Sequence, residues 1–506
     1  NFKWMIVIAI IHLKLKRKLK INRNIMIAKQ LIEPKSIVVV GGSDDIHKPG
    51  GAVLRNLQDG NFKGSLYVVN PKMDEVQGIT ACRDVKDLPE VDCAILAIAA
   101  KFCPSTVEVL AKQKNTKAFI ILSAGFHEEN EEGAKLERQI VETINSVGGS
   151  LIGPNCIGVL TNHYSGVFTS PIPELNPQGV DLISGSGATA LFIMDSGMQK
   201  GIKFNSMYSV GNSAQLGVEE ILEYMDESFD PKMSSRVKLL YVESIEKPEK
   251  LLKHASSLIR KGCRIAAVKS GGSAAGSRAA SSHTGALASS DVAVEALFRK
   301  AGIVRCNGRD ELMTVAGIFM HPEMKGRNMA VVTHAGGPAV MLTDALSNGG
   351  MDVPHIEGEK AQELLVKLFA GSSVGNPIDF LATGTAEQLG YILDACDRDF
   401  DNIDGMAVIF GSPGLFPVFD VYNVLDEKMK ISKKPIFPIF PTSKIVKDEI
   451  AEFVSKGRVY FPDEVLFGNA LCKIYKTPAP QPEHFEMPDM DVKKIREVVD
   501  NAQNGY

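Results

Sequence analysis

The chain has 506 residues, of which 44% are hydrophobic and 23% charged, and a formal net charge of -4. This length exceeds what one hydrophobic core supports and predicts several globular domains. No long basic block follows residue 25, so we expect no nucleic-acid partner. The eight cysteines are scattered without a CxxC pair, which argues against a zinc site or a disulfide framework and favours the cytoplasm.

The first 25 residues differ from the rest of the chain. An apolar stretch, Trp4–Ile11, precedes a basic one, Lys14–Lys20, in the reverse order of a secretory signal. The apolar stretch is also shorter than the roughly 20 residues that cross a bilayer. We therefore expect no membrane association and treat residues 1–25 as a leader outside the fold, with Met26 at the start of the patterned sequence.

From Lys35 onward, short β-branched apolar runs alternate with longer amphipathic stretches, a pattern typical of βαβ units on a parallel sheet. They predict a first, doubly wound domain over residues 26–168. Its predicted strands are Ser36–Val40, Leu66–Val69, Cys93–Ile98, Ala118–Leu122 and Ser150–Ile152.

The first predicted strand leads into two glycine pairs, at positions 41–42 and 50–51, before an apolar helix. Glycines at such a turn let backbone N–H groups approach a phosphate, although a turn without a ligand explains them about equally well. The second strand ends in the segment 70–72, whose Lys72 suits the additional phosphate of coenzyme A or NADP better than the free ribose of NAD. The residues predicted for this nucleotide site are Gly42, Ser43, Lys48, Gly50, Asn70, Pro71, Lys72, Ser123 and Asn155.

A second series of strands predicts a flavodoxin-like domain over residues 169–307. Its first strand ends in a run of small residues that opens an apolar helix, which is typical of a phosphate cradle. Packing of small residues against a sheet is nearly as good an explanation. The predicted strands are Val180–Ile183, Ser206–Val210, Lys238–Val242 and Ile265–Val268, and the predicted cradle residues are Ser184, Ser186, Gly187 and Ala188.

His283 follows a Gly/Ser/Ala-rich run, Ser270–Ala280, that is too small and polar for a core helix, so we predict a surface loop. A neutral imidazole there could accept a phosphoryl group covalently. A carboxylate usually orients such a histidine, and Glu243, at the end of a predicted strand, is the candidate, with a solvated acid as the alternative. A strand, turn and helix account structurally for His334.

Residues 308–476 predict a third domain, with a helix at Arg309–Phe319. A proline-rich, acidic linker and the start of a further helix at Asp491–Ala502 follow in residues 477–506, so we expect the natural chain to continue or a separate subunit to complete it. The clearest strands of the third domain are Met329–Thr333, Gly405–Phe410 and Pro435–Phe440.

These motifs resemble the α portion of NDP-forming acyl-CoA synthetases, the ADP-forming acetyl-CoA synthetase group of the succinyl-CoA synthetase superfamily. The resemblance runs from Met26 to Tyr475, and its most specific element is SSHTGALA at Ser281–Ala288. VVVGGS, NPK, SAGF and GPNCIG resemble the family's CoA-binding domain, LISGSGATA its phosphate-binding helix start, and THAGGPAVMLTDAL its third domain. The chain departs from the family pattern at Gly185, Gln215 and His334, which we interpret as a difference in acid preference or subfamily.

The resemblance implies an α/β protein with a Rossmann-like CoA-binding domain followed by two flavodoxin-like ligase domains. It implies that His283 carries the phosphoryl group, that Glu243 orients it, and that coenzyme A and phosphate bind here without a metal site in this chain. It further implies a cytoplasmic oligomer that interconverts acyl-CoA and carboxylic acid, with ADP or ATP and Mg2+ on an ATP-grasp portion absent from this sequence. The alternatives are a non-catalytic CoA-binding regulatory or scaffold protein, a module of a protein acetyltransferase, and an NADP-linked reductase.

Overall fold

The computed structural model describes residues 27–60, 62–284, 290–412, 414 and 417–482, with only the backbone described at 280–284. These residues form three β-sheets covered by helices. In this described part of the chain, no helix is long and apolar enough to cross a membrane.

The first sheet has seven strands in the order β3-β4-β2-β1-β5-β6-β7, all parallel except β3. The five predicted strands are confirmed, and their central residues are buried on both faces, which explains their continuous apolar sequence. The β3–β4 hairpin was not predicted because its strands are too short to show a pattern. The strands are β1 (Ser36–Val40), β2 (Ser65–Val69), β3 (Glu75–Val76), β4 (Ile79–Cys82), β5 (Cys93–Leu96), β6 (Ala118–Ile121) and β7 (Ser150–Ile152).

Helices cover both faces of this sheet. The helices α1 and α2 pack on one face, and α3 and α4 pack on the other. The helices are α1 (Lys29–Ile32), α2 (Pro49–Asp59), α3 (Cys103–Gln113) and α4 (Glu131–Ser146), with short 3-10 turns at Val85–Asp87 and Ala100–Phe102.

The second sheet has the order β14-β13-β12-β10-β11-β8-β9, and its five parallel strands follow the flavodoxin order. The strands β8 and β9 are antiparallel additions to this sheet. Both precede residue 168, so the last part of the predicted first domain belongs to the second sheet. The strands are β8 (Gly158–Leu160), β9 (Ser165–Val167), β10 (Leu175–Ser184), β11 (Phe204–Ser209), β12 (Val237–Val242), β13 (Arg264–Lys269) and β14 (Val304–Cys306).

The helices of the second sheet include one that corrects a prediction. The predicted surface loop around His283 is wrong, because its backbone lies in helix α8. Alanine has the highest helix propensity, and the Ser273 hydroxyl accepts a hydrogen bond from the Gly276 N–H at 3.0 Å as the helix begins. The helices are α5 (Gly187–Gln199), α6 (Val218–Glu227), α7 (Pro248–Arg260), α8 (Ala274–Thr284) and α9 (Asp291–Ala301).

The third sheet has four parallel strands in the order β16-β15-β17-β18. Its three predicted strands and the predicted helix Arg309–Phe319 are confirmed, whereas the two-residue strand β16 was not predicted. The strands are β15 (Met329–Thr333), β16 (Ile378–Asp379), β17 (Gly405–Ile409) and β18 (Ile436–Ile439). The helices are α10 (Arg309–Phe319), α11 (Gly336–Asn348), α12 (Glu359–Leu365), α13 (Ala386–Arg398), α14 (Phe419–Ile431), α15 (Lys447–Ser455) and α16 (Glu464–Lys476).

The hydrophobic cores are shared between neighbouring sheets. One cluster joins the α2 face of the first sheet to one face of the second, through Cys156, Tyr164 and Tyr208. Another joins the opposite face of the second sheet to the third, through Met313 and Phe461. Neighbouring sheets are therefore joined by a continuous hydrophobic core.

Candidate functional site

A cavity of about 330 Å³ opens where the first and second sheets meet. The loops after β6, β7 and β12 and the first turns of α5 and α6 line it, so it lies at the carboxyl ends of strands of both sheets, where ligands bind in open α/β folds. Of the residues predicted from sequence, five line this cavity: Asn155, Ser186, Gly187, Ala188 and Glu243.

A larger cleft of about 1170 Å³ lies among α9, α11 and α16. Its lining is a mixture of charged residues, and several of these pair with one another, as Arg305 does with Asp291 and Glu295. None of the residues predicted for a site lines it, whereas the smaller cavity brings five together. We therefore take the smaller cavity, of about 330 Å³, as the candidate functional site.

The turn between β10 and α5 shapes one wall of the cavity. The buried Ser184 hydroxyl donates to the Ser186 carbonyl at 2.7 Å and accepts from the Ser186 N–H at 3.2 Å. The Ser186 hydroxyl in turn caps α5 by accepting from the Thr189 N–H at 3.3 Å. The first N–H groups of a helix have no intrahelical partner, an arrangement that favours an anion, and Gly187 and Ala188 in the first turn of α5 line the cavity.

Glu243 lies beside this turn because β10 and β12 are parallel neighbours. Ser184 is in register with Tyr241, and the Gly185 N–H donates to the Tyr241 carbonyl at 3.0 Å. Two residues later the chain presents Glu243 to the cavity. The side chain of His283 lies outside the described residues, so its contact with Glu243 stays a prediction.

A polar cluster that the sequence did not indicate adjoins the same cavity, which is lined by His127, Glu128 and Asn212. Asn212 Nδ2 donates to the carboxylate of Glu128 and, at 3.2 Å, to that of Glu137. His127 Nδ1 lies 2.7 Å from Glu137 Oε1, and this hydrogen bond raises the pKa of His127 above its ordinary value. Burial would raise the pKa of Glu128, but Asn212 and the N–H groups of Gly125 and Phe126 together lower it.

Two buried carboxylates hold the loop that carries Glu243. Glu219 Oε1 accepts from the N–H groups of Glu246 at 2.9 Å and Lys247 at 3.1 Å. Glu220 Oε1 accepts from Lys247 Nζ at 2.8 Å. The loop from β12 to α7 is thereby fixed against the first turn of α6, which steadies the position of Glu243.

The predicted nucleotide site is a compact turn at the carboxyl end of β1. Gly41 has a φ of +87°, and a Cβ on Gly50 would lie 2.0 Å from the Gly41 carbonyl, so both positions require glycine. Asn70 Nδ2 donates to the Gly42 carbonyl at 2.9 Å, which joins the two predicted segments. The remaining predicted residues of these segments, from partly buried to exposed, are Ser43, Lys48, Pro71 and Lys72.

Ser123 and Asn155 lie at the same edge of the first sheet but make different contacts. The Ser123 hydroxyl donates to the Ile98 carbonyl and therefore stabilises the loop after β6. The Asn155 N–H donates to the Ser123 carbonyl at 2.9 Å, while Asn155 Nδ2 donates to Asn212 Oδ1 at 3.3 Å. Asn155 thus links the cavity to the polar cluster around Asn212.

The three departures from the family pattern have different surroundings. Gly185 lines the cavity. Gln215 is buried and bonds the Leu151 N–H at 2.6 Å, the Asn145 side chain and the Gly149 carbonyl, so it ties the second sheet to the end of the first. His334 stacks on Phe410 with ring centroids 4.3 Å apart, in keeping with the structural role predicted for it.

Known proteins resemble the chain in sequence and in fold. A family model described as a CoA binding domain matches residues 35–162, and one described as a succinyl-CoA ligase like flavodoxin domain matches residues 177–319. The solved structure of the dinucleotide forming acetyl-coenzyme A synthetase 1 of Ca. Korarchaeum cryptofilum, in complex with phosphate and ADP, covers 88% of this chain and 96% of its own at a TM-score of 0.79 and 26% identity. The predicted fold class is confirmed.

Curated relatives extend the likeness along most of the chain. The α subunit of the ADP-forming acetate--CoA ligase II of Pyrococcus furiosus is 32% identical over 84% of this chain and 92% of that subunit. The ADP-forming acetate--CoA ligase I of Archaeoglobus fulgidus is 35% identical over 74% of this chain, which spans 54% of that longer protein. The chain therefore belongs to the family of ADP-forming acetate--CoA ligases and their α subunits, as its motifs predicted.

Proposed function

We propose that the chain is the CoA- and phosphate-handling part of an NDP-forming acyl-CoA synthetase, an acid-thiol ligase. The reaction converts acyl-CoA, phosphate and ADP reversibly into a carboxylic acid, CoA and ATP. The observation that carries the proposal is the cavity in which the first turn of α5 and Glu243 lie together beside a CoA-binding domain.

In the first step a phosphate oxygen attacks the thioester carbonyl, the C–S bond breaks and CoA leaves as the thiolate, which gives an acyl phosphate. Phosphate binds at the N–H groups of Gly187 and Ala188, where the α5 dipole adds about half a positive charge. Fixed N–H groups of this kind stabilise the charge that develops in the transition state. Ser184 and Ser186 hold the turn in the required shape.

In the second step an imidazole nitrogen of His283 attacks the phosphorus of the acyl phosphate. The P–O bond to the acyl group breaks, the carboxylate leaves, and the phosphoryl group stays on His283. Glu243 orients the ring and stabilises the positive charge that the ring gains. The position of Glu243 on the loop fixed by Glu219 supports this role.

In the last step an oxygen of the ADP β-phosphate takes the phosphoryl group from His283. We propose that ADP and Mg2+ bind on an ATP-grasp portion, either fused or separate, that works with this chain. The naming of two Pyrococcus furiosus relatives as α subunits and the greater length of the Archaeoglobus fulgidus relative support such a partner. A cytoplasmic, oligomeric enzyme belongs to the same proposal.

The release of CoA thiol tests this proposal on the chain by itself. With an excess of acetyl-CoA or a larger acyl-CoA, we expect phosphate to trigger release of about one equivalent of thiol per chain, because His283 accepts one phosphoryl group. Without phosphate no such release is expected. If no acyl-CoA of the series gives phosphate-dependent thiol, a non-catalytic CoA-binding protein explains the chain better.

A further inference from the structure

The β3–β4 hairpin, which the sequence did not predict, braces the glycine-rich turn of the CoA-binding domain. Gln77 lies at its tip, between Glu75–Val76 and Ile79–Cys82, with a φ of +50°. This is the left-handed region, which side chains other than Gly, Asn and Asp seldom occupy. Gly78 follows with a φ of +79°, so the two residues form the tight turn of the hairpin, in which both central residues adopt positive φ.

Hydrogen bonds join Gln77 to both ends of the turn formed by residues 43–51. Its Nε2 donates to the Ser43 carbonyl at 2.7 Å and to the Gly51 carbonyl at 2.9 Å. Its backbone N–H donates to Asp44 Oδ1 at 2.7 Å. From the other side, Gln58 of α2 donates from Nε2 to the Gln77 carbonyl at 3.0 Å. The tip of the hairpin thereby bridges the start and the end of the turn.

The turn needs such a brace because most of it faces solvent. Residues 44–49 are exposed, and Lys48 reaches only as far as Asp45 Oδ2 at 3.4 Å. Gln77 Oε1 is buried and has no hydrogen-bond partner among the described residues. A buried acceptor without a partner is unfavourable, so the two bonds donated by Nε2 are what this position gains from glutamine.

We infer that Gln77 is a positioning residue for coenzyme A. It acts through the turn at residues 43–51, holding it so that the first N–H groups of α2 meet a phosphate of the ligand. Since Oε1 is buried, Gln77 does not have to touch the ligand itself. The inference rests on the proposed function, because it assumes that this turn binds CoA.

Calorimetric titration with CoA tests the inference on two variants. Gln77→Met keeps the length of the side chain and removes its donors, whereas Gln77→Gly removes them and also suits the positive φ. We expect both variants to bind CoA about five- to tenfold more weakly, as the loss of two hydrogen bonds implies. The phosphate dependence of thiol release at saturating acyl-CoA should not change. Gln113→Met, at an exposed position at the end of α3, is the matched control and should bind as the wild type does.

The outcomes separate this inference from the proposed function. A wild-type chain that does not bind CoA overturns the proposed function, whatever the variants do. A wild-type chain that binds CoA, together with Gln77→Gly binding equally well, overturns the inference. Weaker binding by both variants at unchanged thermal stability of Gln77→Gly supports it, because a merely structural role would not leave folding intact and lower only CoA affinity.

Discussion

Glu243 and the N–H groups of Gly187 and Ala188 meet because two strands of one sheet end side by side. The register of β10 with β12 brings them to one edge, and the Glu219 carboxylate fixes the loop that follows. The cavity is thus lined both by the first turn of α5, where we propose that phosphate binds, and by a carboxylate. Phosphate transfer to a histidine requires both, one for the phosphoryl oxygens and one for the imidazolium.

Replacing Glu243 tests this division of roles. Glu243→Gln keeps the size of the side chain and removes its charge, so we expect phosphoryl transfer to His283 to slow by about 10- to 100-fold. CoA affinity should stay unchanged, because the turn at residues 43–51, where we propose that CoA binds, lies at the edge of the first sheet. Rapid-quench measurement of phosphohistidine formation checks the rate, and Glu249→Gln, in the first turn of α7, is the control. Equal rates in the two variants would contradict the role.

Single residues were predictable from sequence where chain order alone brings them together. Ser186 to Ala188 lie in one turn, and Glu243 directly follows β12, a strand whose apolar run is clear. The cluster around Asn212 was missed because Asn212 reaches the carboxylates of Glu128 and Glu137 from the second sheet, at sequence separations of 84 and 75. No local pattern encodes such a contact, although the predicted loop at Ser123 ends beside His127.

The element that defines the site is the strand, turn and helix formed by β10 and α5. The third sheet repeats its turn: Thr333 Oγ1 donates to the Ala335 carbonyl at 2.8 Å and accepts from the Ala335 N–H at 3.0 Å, ahead of α11. A hydroxyl at the strand end therefore shapes both turns. The turn after β10 lines the same cavity as Glu243, and for this reason we propose the ligand site there.

Changing the cap of α5 separates folding from phosphate binding. Ser186→Asp and Ser186→Asn both preserve a good N-cap, so we expect stability to change by less than about 1 kcal/mol in each. The aspartate places a negative charge at the anion site, and we expect its phosphate requirement to rise at least about tenfold, whereas the neutral asparagine should have a much smaller effect. Phosphate titration of thiol release gives the comparison, and a similar requirement in both variants would place phosphate elsewhere.

The predicted strands were confirmed where a strand is long enough to show a hydrophobic pattern in the sequence. β1 and β15 match their predicted limits, since buried parallel strands are continuous apolar runs. α8 was mistaken for a loop because its small polar residues cannot form a core, yet an exposed helix needs no apolar face. The β3–β4 hairpin and β16 are two to four residues long, and their pairing depends on the rest of the sheet.

The whole molecule is held together by cores and polar contacts that cross from sheet to sheet. Asn56 of α2 donates from Nδ2 to the carbonyls of Val167 at 2.6 Å and Thr169 at 3.0 Å, beside β9 of the second sheet. The Tyr164 hydroxyl donates to the Leu31 carbonyl at 2.7 Å. These contacts fix the cavity between the first and second sheets, because its two walls cannot move apart without breaking them.

The shared core between the second and third sheets predicts coupled stability. Phe461 is 2% exposed and belongs to a cluster that includes Met313 of α10 and Leu239 of β12. We expect Phe461→Ala to cost about 3–5 kcal/mol and to speed amide hydrogen exchange in both sheets. Phe453→Ala, in the cluster on the far face of the third sheet, should act on the third sheet alone. Exchange changes confined to the third sheet in both variants would contradict a shared core.

The three sheets were predicted from the sequence, but the contacts that join them were not. Alternating apolar runs predict parallel sheets, and the five parallel strands of the second sheet have the flavodoxin order expected from the sequence. The transfer of β8 and β9 to the second sheet depends on the pairing of Leu160 with Met207, a contact between distant segments. The contacts of Gln215 could not be predicted for the same reason, because its three partners lie near the end of the first sheet, far from it in sequence.

The proposed function requires phosphorylation of His283, which intact-mass analysis detects as a gain of one phosphoryl group. The chain is incubated with acetyl-CoA and phosphate, alongside His283→Ala and the control His163→Ala, an exposed histidine between β8 and β9. We expect an acid-labile gain of one phosphoryl group in the wild type and in His163→Ala, and none in His283→Ala. A gain that persists in His283→Ala, or no gain in a wild-type chain that binds CoA, would contradict the proposed function.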